Sequence, residues 1–211
     1  MTRFWFVAAL FATVAAGCGS SGRQATPPTA TAPPTTAPAT TPQPTTTSAD
    51  TAGALQAEAN ATAAGDIPDN QTFLVFRNTA ARYSIKYPEG WAQHGAAQTV
   101  SFRDKNNIVR IVVAAGSRFT TSAVRRDLRR LHGARTEAQP RALTLPGGPG
   151  FQATYSTVSA PNAVTGKRVR LVVDRYYLWK GGRRAIVDLG TPVGVDNVDG
   201  YRLMIESFQW R

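Results

Sequence analysis

The chain has 211 residues, with 24 Lys and Arg against 13 Asp and Glu for a formal net charge of +11, a single cysteine and two histidines. One cysteine excludes an internal disulfide, and the length admits one ordinary domain or two small ones. Composition shifts so sharply along the chain that the first 66 residues are read apart from the rest.

Arg3 supplies a positive n-region, and Phe4 to Gly17 form an uncharged apolar run of 14 residues ending at Ala15-Ala16-Gly17-Cys18. That run is too short to span a bilayer core, which needs roughly 20 residues, and it fits a secretory signal peptide. Small residues immediately before a cysteine resemble a bacterial lipobox, with Ala15 standing where such motifs more often carry Leu. The resemblance implies cleavage before Cys18, thioether lipidation of Cys18 and acylation of the new amino terminus. Residues 1–17 are thus read as a lipoprotein signal peptide, and the mature chain as held on the extracytoplasmic face of the cell membrane. The alternative is an ordinary signal peptide that leaves a free secreted protein with one thiol.

Residues 18–66 read as a disordered tether. Gln24 to Asp50 holds ten Thr and seven Pro in 27 residues, with no aromatic and no large aliphatic side chain. Such a stretch buries too little apolar surface to offset its ordering entropy, and its prolines favour an extended coil. Fully extended, it reaches roughly 80 Å at about 3.1 Å per residue. Thr51 to Gly65 is Ala-rich with Leu55 as its one apolar anchor and is read as a continuation of the linker.

From Ile67 to Arg211 the pattern is that of one folded domain. Tyr83, Ile85 and Tyr87 alternate with Arg82, Ser84 and Lys86, the period of a half-buried strand. Pro88-Glu89-Gly90 then turns the chain, and Trp91 folds back as a plug on the core. Phe73 and Val75 before this element, and Val100 and Phe102 after it, predict flanking strands. Ile108 to Ala114 is apolar almost throughout, as in a central strand covered on both faces.

A helix is expected over Thr120 to Leu131, opened by Thr and Ser capping candidates and burying Val124, Leu128 and Leu131. Two short strands are expected around Gly147-Gly148-Pro149-Gly150, a turn rather than an anion cradle. Val169, Leu171, Val173, Tyr177 and Trp179 share a face of a long strand that Gly181-Gly182 turns into Ala185, Val187 and Leu189, a hairpin signal. A closing helix is expected with Asp196 as its cap and Val198, Tyr201, Ile205 and Phe208 at helical spacing. Consecutive strands with two substantial helices give an α+β class, an antiparallel sheet with helices packed on it.

The strand YSIKYPEGW, the helix at mid-domain, the hairpin PGGPGFQATY, the strand carrying Tyr176-Tyr177 and the ending IESFQW together resemble the PsbP-like superfamily. That superfamily includes a photosystem lumenal protein and many bacterial lipoproteins, the LpqN-like ones of actinobacteria among them. The resemblance covers about residues 70 to 210. It implies an antiparallel sheet sandwiched between helices (α/β/α) and accessory or binding roles, and none of its motifs carries chemistry.

No catalytic constellation is legible: His94 and His132 have no metal-ligand spacing, and neither a nucleophile elbow nor a phosphate loop is present. The chain is read as no enzyme and as needing no metal or cofactor. His94, beside Trp91 in an expected loop, is the one residue kept for test, and most of Asp104, Asp127, Asp174 and Asp188 are expected to pair with arginines.

Charge is more informative. Residues 67 to 211 carry 22 Lys and Arg against 10 Asp and Glu, a net +12, which favours anionic partners. Arg125, Arg126, Arg129 and Arg130 form a stripe opposite the buried face of the mid-domain helix. It is either a solvated helix face or a contact for phospholipid headgroups, anionic wall polymers or an acidic protein; export makes nucleic acid an unsuitable partner. The second reading is a carrier for a small hydrophobic or glycan ligand, with Trp91, Tyr176, Tyr177 and Trp179 lining its pocket.

Overall fold

The computed structural model describes residues 47–161 and 166–211. The signal peptide, Cys18 and the Thr/Pro-rich segment up to residue 46 lie outside the described residues. The chain divides into two units, 1–44 and 45–211; the second contains every element below.

It opens with α1 (Thr47–Ala64). Thr51 to Gly65, expected as linker, is therefore helical, and Gly65 with φ +113° ends the helix. Its end is bonded to the sheet domain. The Gly65 carbonyl accepts from the side-chain amides of Asn107 and Asn197, Lys105 Nζ donates to the Thr62 carbonyl, and the Ile67 amide donates to Asn197 Oδ1 at 2.8 Å. Ala-rich sequence gives good helix propensity with little surface to bury. The polar contacts at its end, carried by Asn107 and Asn197 far along the sequence, are what the linker reading could not contain.

Two antiparallel sheets follow. In the smaller, β2 (Tyr83–Pro88) pairs on one side with β1 (Phe73–Asn78) and on the other with β10 (Gln209–Trp210). The larger contains β3 (Ala92–Ala96), β4 (Thr99–Asp104), β5 (Asn107–Ala115), β6 (Arg135–Leu145), β7 (Gly148–Val158), β8 (Arg170–Lys180) and β9 (Arg183–Pro192), in the order β3-β4-β5-β9-β8-β7-β6. The helices α2 (Thr121–Arg129) and α3 (Val198–Glu206) complete the set.

Period-two alternation divides the larger sheet between two cores. Val109, Ile111 and Val113 of β5, Ala185, Val187 and Leu189 of β9 and Leu178 of β8 face the small sheet and α3, where they meet Tyr83, Ile85, Trp91, Tyr201, Met204 and Phe208. Leu171, Val173 and Tyr177 of β8, with Ala153 and Tyr155 of β7, face the other way and pack under Val124 and Leu128 of α2. The architecture is thus an antiparallel sheet with α2 on one face and α3 plus a three-stranded sheet on the other.

The stretch Arg82 to Trp91 forms the expected strand, turn and plug, except that Ser84, expected on the solvent side, is buried and accepts from Arg211 Nε at 3.0 Å. β2 buries Tyr83 and Ile85, Gly90 takes φ +88° in the turn, and Trp91 packs into the core at 8 % exposure. The Gly181-Gly182 pair is a two-residue turn with φ of +55° and +73°, matching the twist a tight hairpin requires.

The expected flanking strand forms as β1, with Phe73 and Phe76 packed on the core, Phe76 edge-on to Phe102 with ring centroids 5.3 Å apart, and Val75 outward at 48 % exposure. One further expectation is corrected. The closing helix stops at Glu206. The Ser207 amide bonds back to the Leu203 and Met204 carbonyls, and Ser207 Oγ accepts from the Lys86 amide at 2.7 Å, so Gln209 and Trp210 are extended beside β2. Phe208 is buried beyond the helix, while Val198 is exposed.

Candidate anion-binding site

α2 begins where Thr120, in extended conformation, accepts the Ala123 amide on its side chain at 3.2 Å, satisfying one of the free donors of the first turn. Arg126 and Arg129 in the last turn complement the negative end of the helix dipole. Val124 and Leu128 are buried against β7 and β8.

Asp127, on the flank of that buried face, joins the helix to the sheet. Its Oδ2 accepts from Arg175 Nη1 at 2.8 Å and from the Tyr177 hydroxyl at 2.8 Å. Arg175 also holds Asp188 with two parallel bonds, Nε to Oδ1 at 2.6 Å and Nη2 to Oδ2 at 2.9 Å. Side chains of Arg175 and Asp188 are 5 % and 6 % exposed, that of Asp127 38 %.

Burial works against the Arg175 charge, yet the bonds and charge of Asp188 outweigh it and hold the guanidinium protonated. Burial, with the Asp188 charge second, pushes Tyr155 up to about 12; burial likewise lifts Tyr177 well above the usual phenol range. The cluster is an ion-paired, hydrogen-bonded strut that ties α2 to the sheet. Of the four aspartates, most of which are expected to pair with arginine, Asp127 and Asp188 do; Asp174 accepts from Thr154 at 2.6 Å, and Asp104 lies 3.8 Å from Lys105.

All four arginines of the stripe are exposed, and among the described residues none pairs with a carboxylate. The fold splits them into two rows. Successive positions advance 100°, which puts Ala123, Arg126, Asp127 and Arg130 on one flank and Arg125 and Arg129 on the other. The first row overhangs a cavity of about 270 Å³ whose other walls are Val112, Ala114, Phe119, Arg184 and Ile186. Arg184 reaches into it from β9, its guanidinium 5.1 Å from the Phe119 ring centre, and a Cβ at Gly116 would stand 2.1 Å from Arg184 Nε. Arg184 was not singled out from sequence, where it follows the Gly-Gly turn. The available signal was alternation, which places Arg184, Ile186 and Asp188 on the α2 face of β9.

The four candidate pocket aromatics are not brought together. Trp91 is in the core beneath the small sheet, Tyr177 and Trp179 lie on the α2 face, and Tyr176 projects from the opposite face of the same strand. Of the four, Tyr176 alone lines a groove of about 450 Å³ between β6–β9 and α3, with Asp174, Gln152, Arg141 and Glu206 at its polar edge. Burial, then the Asp174 charge, pushes Tyr176 up to about 12.

His94 sits on the exposed edge strand β3 opposite Ser101, and His132 is exposed beyond α2. Among the described residues no three His, Cys, Asp or Glu converge as a metal set. The glycines at 147–150 are explained by close packing: a Cβ at Gly147 would lie 2.8 Å from the Phe208 carbonyl oxygen, and one at Gly150 2.5 Å from that of Tyr177.

Comparison with known proteins places the architecture. No family model matches the chain, and no curated protein matches it. Among solved structures, the cyanobacterial PsbP (CyanoP) of Synechocystis sp. PCC 6803 superposes with a TM-score of 0.51 at 15 % identity, over 70 % of this chain and 98 % of that one. The Ran-binding protein Mog1p of Saccharomyces cerevisiae gives 0.44 at 9 % identity over 67 % and 96 %. LpqN of Mycobacterium tuberculosis, a protein involved in cell envelope biogenesis, gives 0.39 at 13 % identity over 67 % and 91 %. At these identities the likeness is one of architecture, and it agrees with the strand, hairpin and terminal elements read from the sequence: the chain has a PsbP-like fold.

Proposed function

We propose that this chain is an extracytoplasmic envelope protein, anchored to the membrane through lipidated Cys18, whose PsbP-like domain acts as a binding module for an anionic envelope component or an acidic protein, with no catalytic step of its own. The observation that carries the reading is the α2 surface. It offers four exposed guanidiniums without carboxylate partners among the described residues, on a helix clamped to the sheet through Asp127 and Arg175. Each basic residue near an anionic surface contributes on the order of 1 kcal/mol at low salt, and a rigid helix holds them in register with no backbone ordering cost, leaving only that of the side chains.

Purified Cys18→Ala protein, which carries no lipid, is expected to co-sediment with vesicles containing anionic phospholipid at low salt and not with neutral ones. Glu at positions 125, 126, 129 and 130 is expected to abolish that binding. Retention of the charge-reversed protein on anionic vesicles would overturn the reading. The anchor is tested separately by the intact chain, since a high-salt wash should release Cys18→Ala from the cell membrane fraction and leave wild type in it.

The groove beside Tyr176 supports a second reading, a carrier for a small ligand with hydroxyl groups to offer to Asp174, Gln152 and Glu206. Native mass spectrometry of the purified protein should then show a co-purified mass that Tyr176→Ala releases.

A further inference from the structure

We propose that the cavity between α2 and the sheet is a receptor for a single-chain anionic amphiphile, its acid group held by Arg126, Arg130 and Arg184 and its hydrocarbon seated on Val112, Ala114 and Ile186. The inference rests on the reading of α2 as the anion-binding face and assigns its ligand class.

Three observations converge on it. The rim is made of arginine alone, whose planar forks match phosphate or carboxylate with paired bonds. Asp127, the one carboxylate in the cavity wall, accepts from Arg175 and Tyr177 through Oδ2 and pairs with no rim arginine, so the three rim guanidiniums outnumber it. Arg184 is held by stacking on Phe119 rather than by an acid, which leaves the N–H edges of its guanidinium for an acceptor.

Beneath that rim the walls are apolar. A bare inorganic anion would leave Val112, Ala114 and Ile186 against water, whereas a chain attached to the acid group would cover them. The volume, about 270 Å³, falls at the lower end of ligand sites and suits one short hydrocarbon segment rather than a two-chain lipid. A planar membrane surface cannot enter a cleft between helix and sheet, but a monomeric amphiphile can. A neutral sugar or a cation would find no complement in three guanidiniums.

The test uses the full-length Cys18→Ala protein with decyl phosphate below its micelle concentration, inorganic phosphate and the uncharged decyl maltoside, read by titration calorimetry. Decyl phosphate should bind at least about tenfold more tightly than inorganic phosphate, as burial of several methylenes requires, and decyl maltoside should not bind. Arg126→Gln with Arg130→Gln should weaken decyl phosphate by roughly tenfold or more, since each charge-assisted bond lost is worth that much. Arg125→Gln with Arg129→Gln, on the other flank, should change it by less than about threefold. Ala114→Phe, which fills the floor and spares the rim, should block decyl phosphate while leaving inorganic phosphate unchanged; the melting temperature of each variant reports folding.

Equal binding of decyl phosphate and inorganic phosphate would overturn the amphiphile, and equal losses from the two arginine pairs would overturn the cavity. Binding to anionic vesicles without binding to decyl phosphate also removes this inference but leaves the α2 reading standing. Absence of both removes the two together.

Discussion

Replacing Arg175 with Met tests whether the strut beneath α2 is what holds that helix in place. Arg175 donates three charge-assisted bonds from a side chain 5 % exposed, two of them to Asp188, itself 6 % exposed. Met matches much of the arginine volume but leaves the Asp188 carboxylate buried with only the Tyr155 hydroxyl at 3.5 Å, a distance at the limit of a hydrogen bond. Stranding one member of a buried pair costs about 3–5 kcal/mol. Asp127 is 38 % exposed, so Asp127→Asn should cost only about 1 kcal/mol, solvent replacing part of what is lost. Urea melts followed by far-ultraviolet circular dichroism measure both.

Two further results separate this account from a simple packing defect. The Arg175→Met deficit should shrink as pH is lowered. Acid neutralises a stranded carboxylate and removes its buried charge, a recovery that a simple packing defect would not show. The double change Arg175→Met with Asp188→Leu should restore most of the loss, because removing both charges leaves nothing unpaired. An Arg175→Met variant within about 1 kcal/mol of wild type, or a double variant no better than the single one, would refute the reasoning.

Other consequences follow from the same physical terms. Tyr83, Tyr155, Tyr176, Tyr177 and Tyr201 all have phenol pKa values raised chiefly by burial; their folded values exceed the unfolded one, so their contribution is intact below pH 10 and lost as pH rises above it. Stability should fall there by about 1.4 kcal/mol per pH unit for each tyrosine ionised only in the unfolded chain, and a flat alkaline profile in equilibrium melts would contradict their burial. Gly150→Ala should cost about 1–3 kcal/mol by forcing β7 from the Tyr177 carbonyl, measured as a lowered urea midpoint. Asn197→Ala removes bonds to Ile67, Gly65, Asn107 and Thr191 at once and should cost about 1–3 kcal/mol, with amide exchange accelerated at residues 65–67; unchanged exchange there would show that the end of α1 is held by something else.

Much of this was available in the sequence where local chemistry decides the outcome. A two-residue Gly181-Gly182 turn places Lys180 opposite Arg183, and counting back five residues on each strand places Arg175 opposite Asp188, the pair at the centre of the strut. Period-two reading also separates Tyr176 from Tyr177, which already denies the aromatics a shared pocket. Helix rotation was legible in part: Val124 and Leu128 fix the buried face, and the 100° advance then puts Arg126 and Arg130 on the same flank as Asp127. What no local pattern held was distance along the chain. Asn197 bonds to Gly65, 132 residues away, and Phe119, Arg184 and the Arg126–Arg130 row meet only because α2, packed on β7 and β8, flanks the cavity walled by β5 and β9.

The net charge of the domain, legible from the start, hides an asymmetry that only the fold exposes. On the α3 face of the larger sheet, Glu58, Asp66, Asp69, Asp196 and Asp199 line one cavity with no basic residue among its walls, and of these only Asp199 has an ion-pair partner among the described residues, Arg202. On the α2 face the four stripe arginines and Arg184 outnumber Asp127, whose side chain is 38 % exposed. The acidic cavity thus disfavours an anion that the α2 rim attracts, and an approaching anion is steered by the whole field and not only by the residues it finally touches. Uniform positive charge would bind an acidic surface in many orientations. Under the proposed function, opposed faces would select one orientation, with α2 toward the anionic partner.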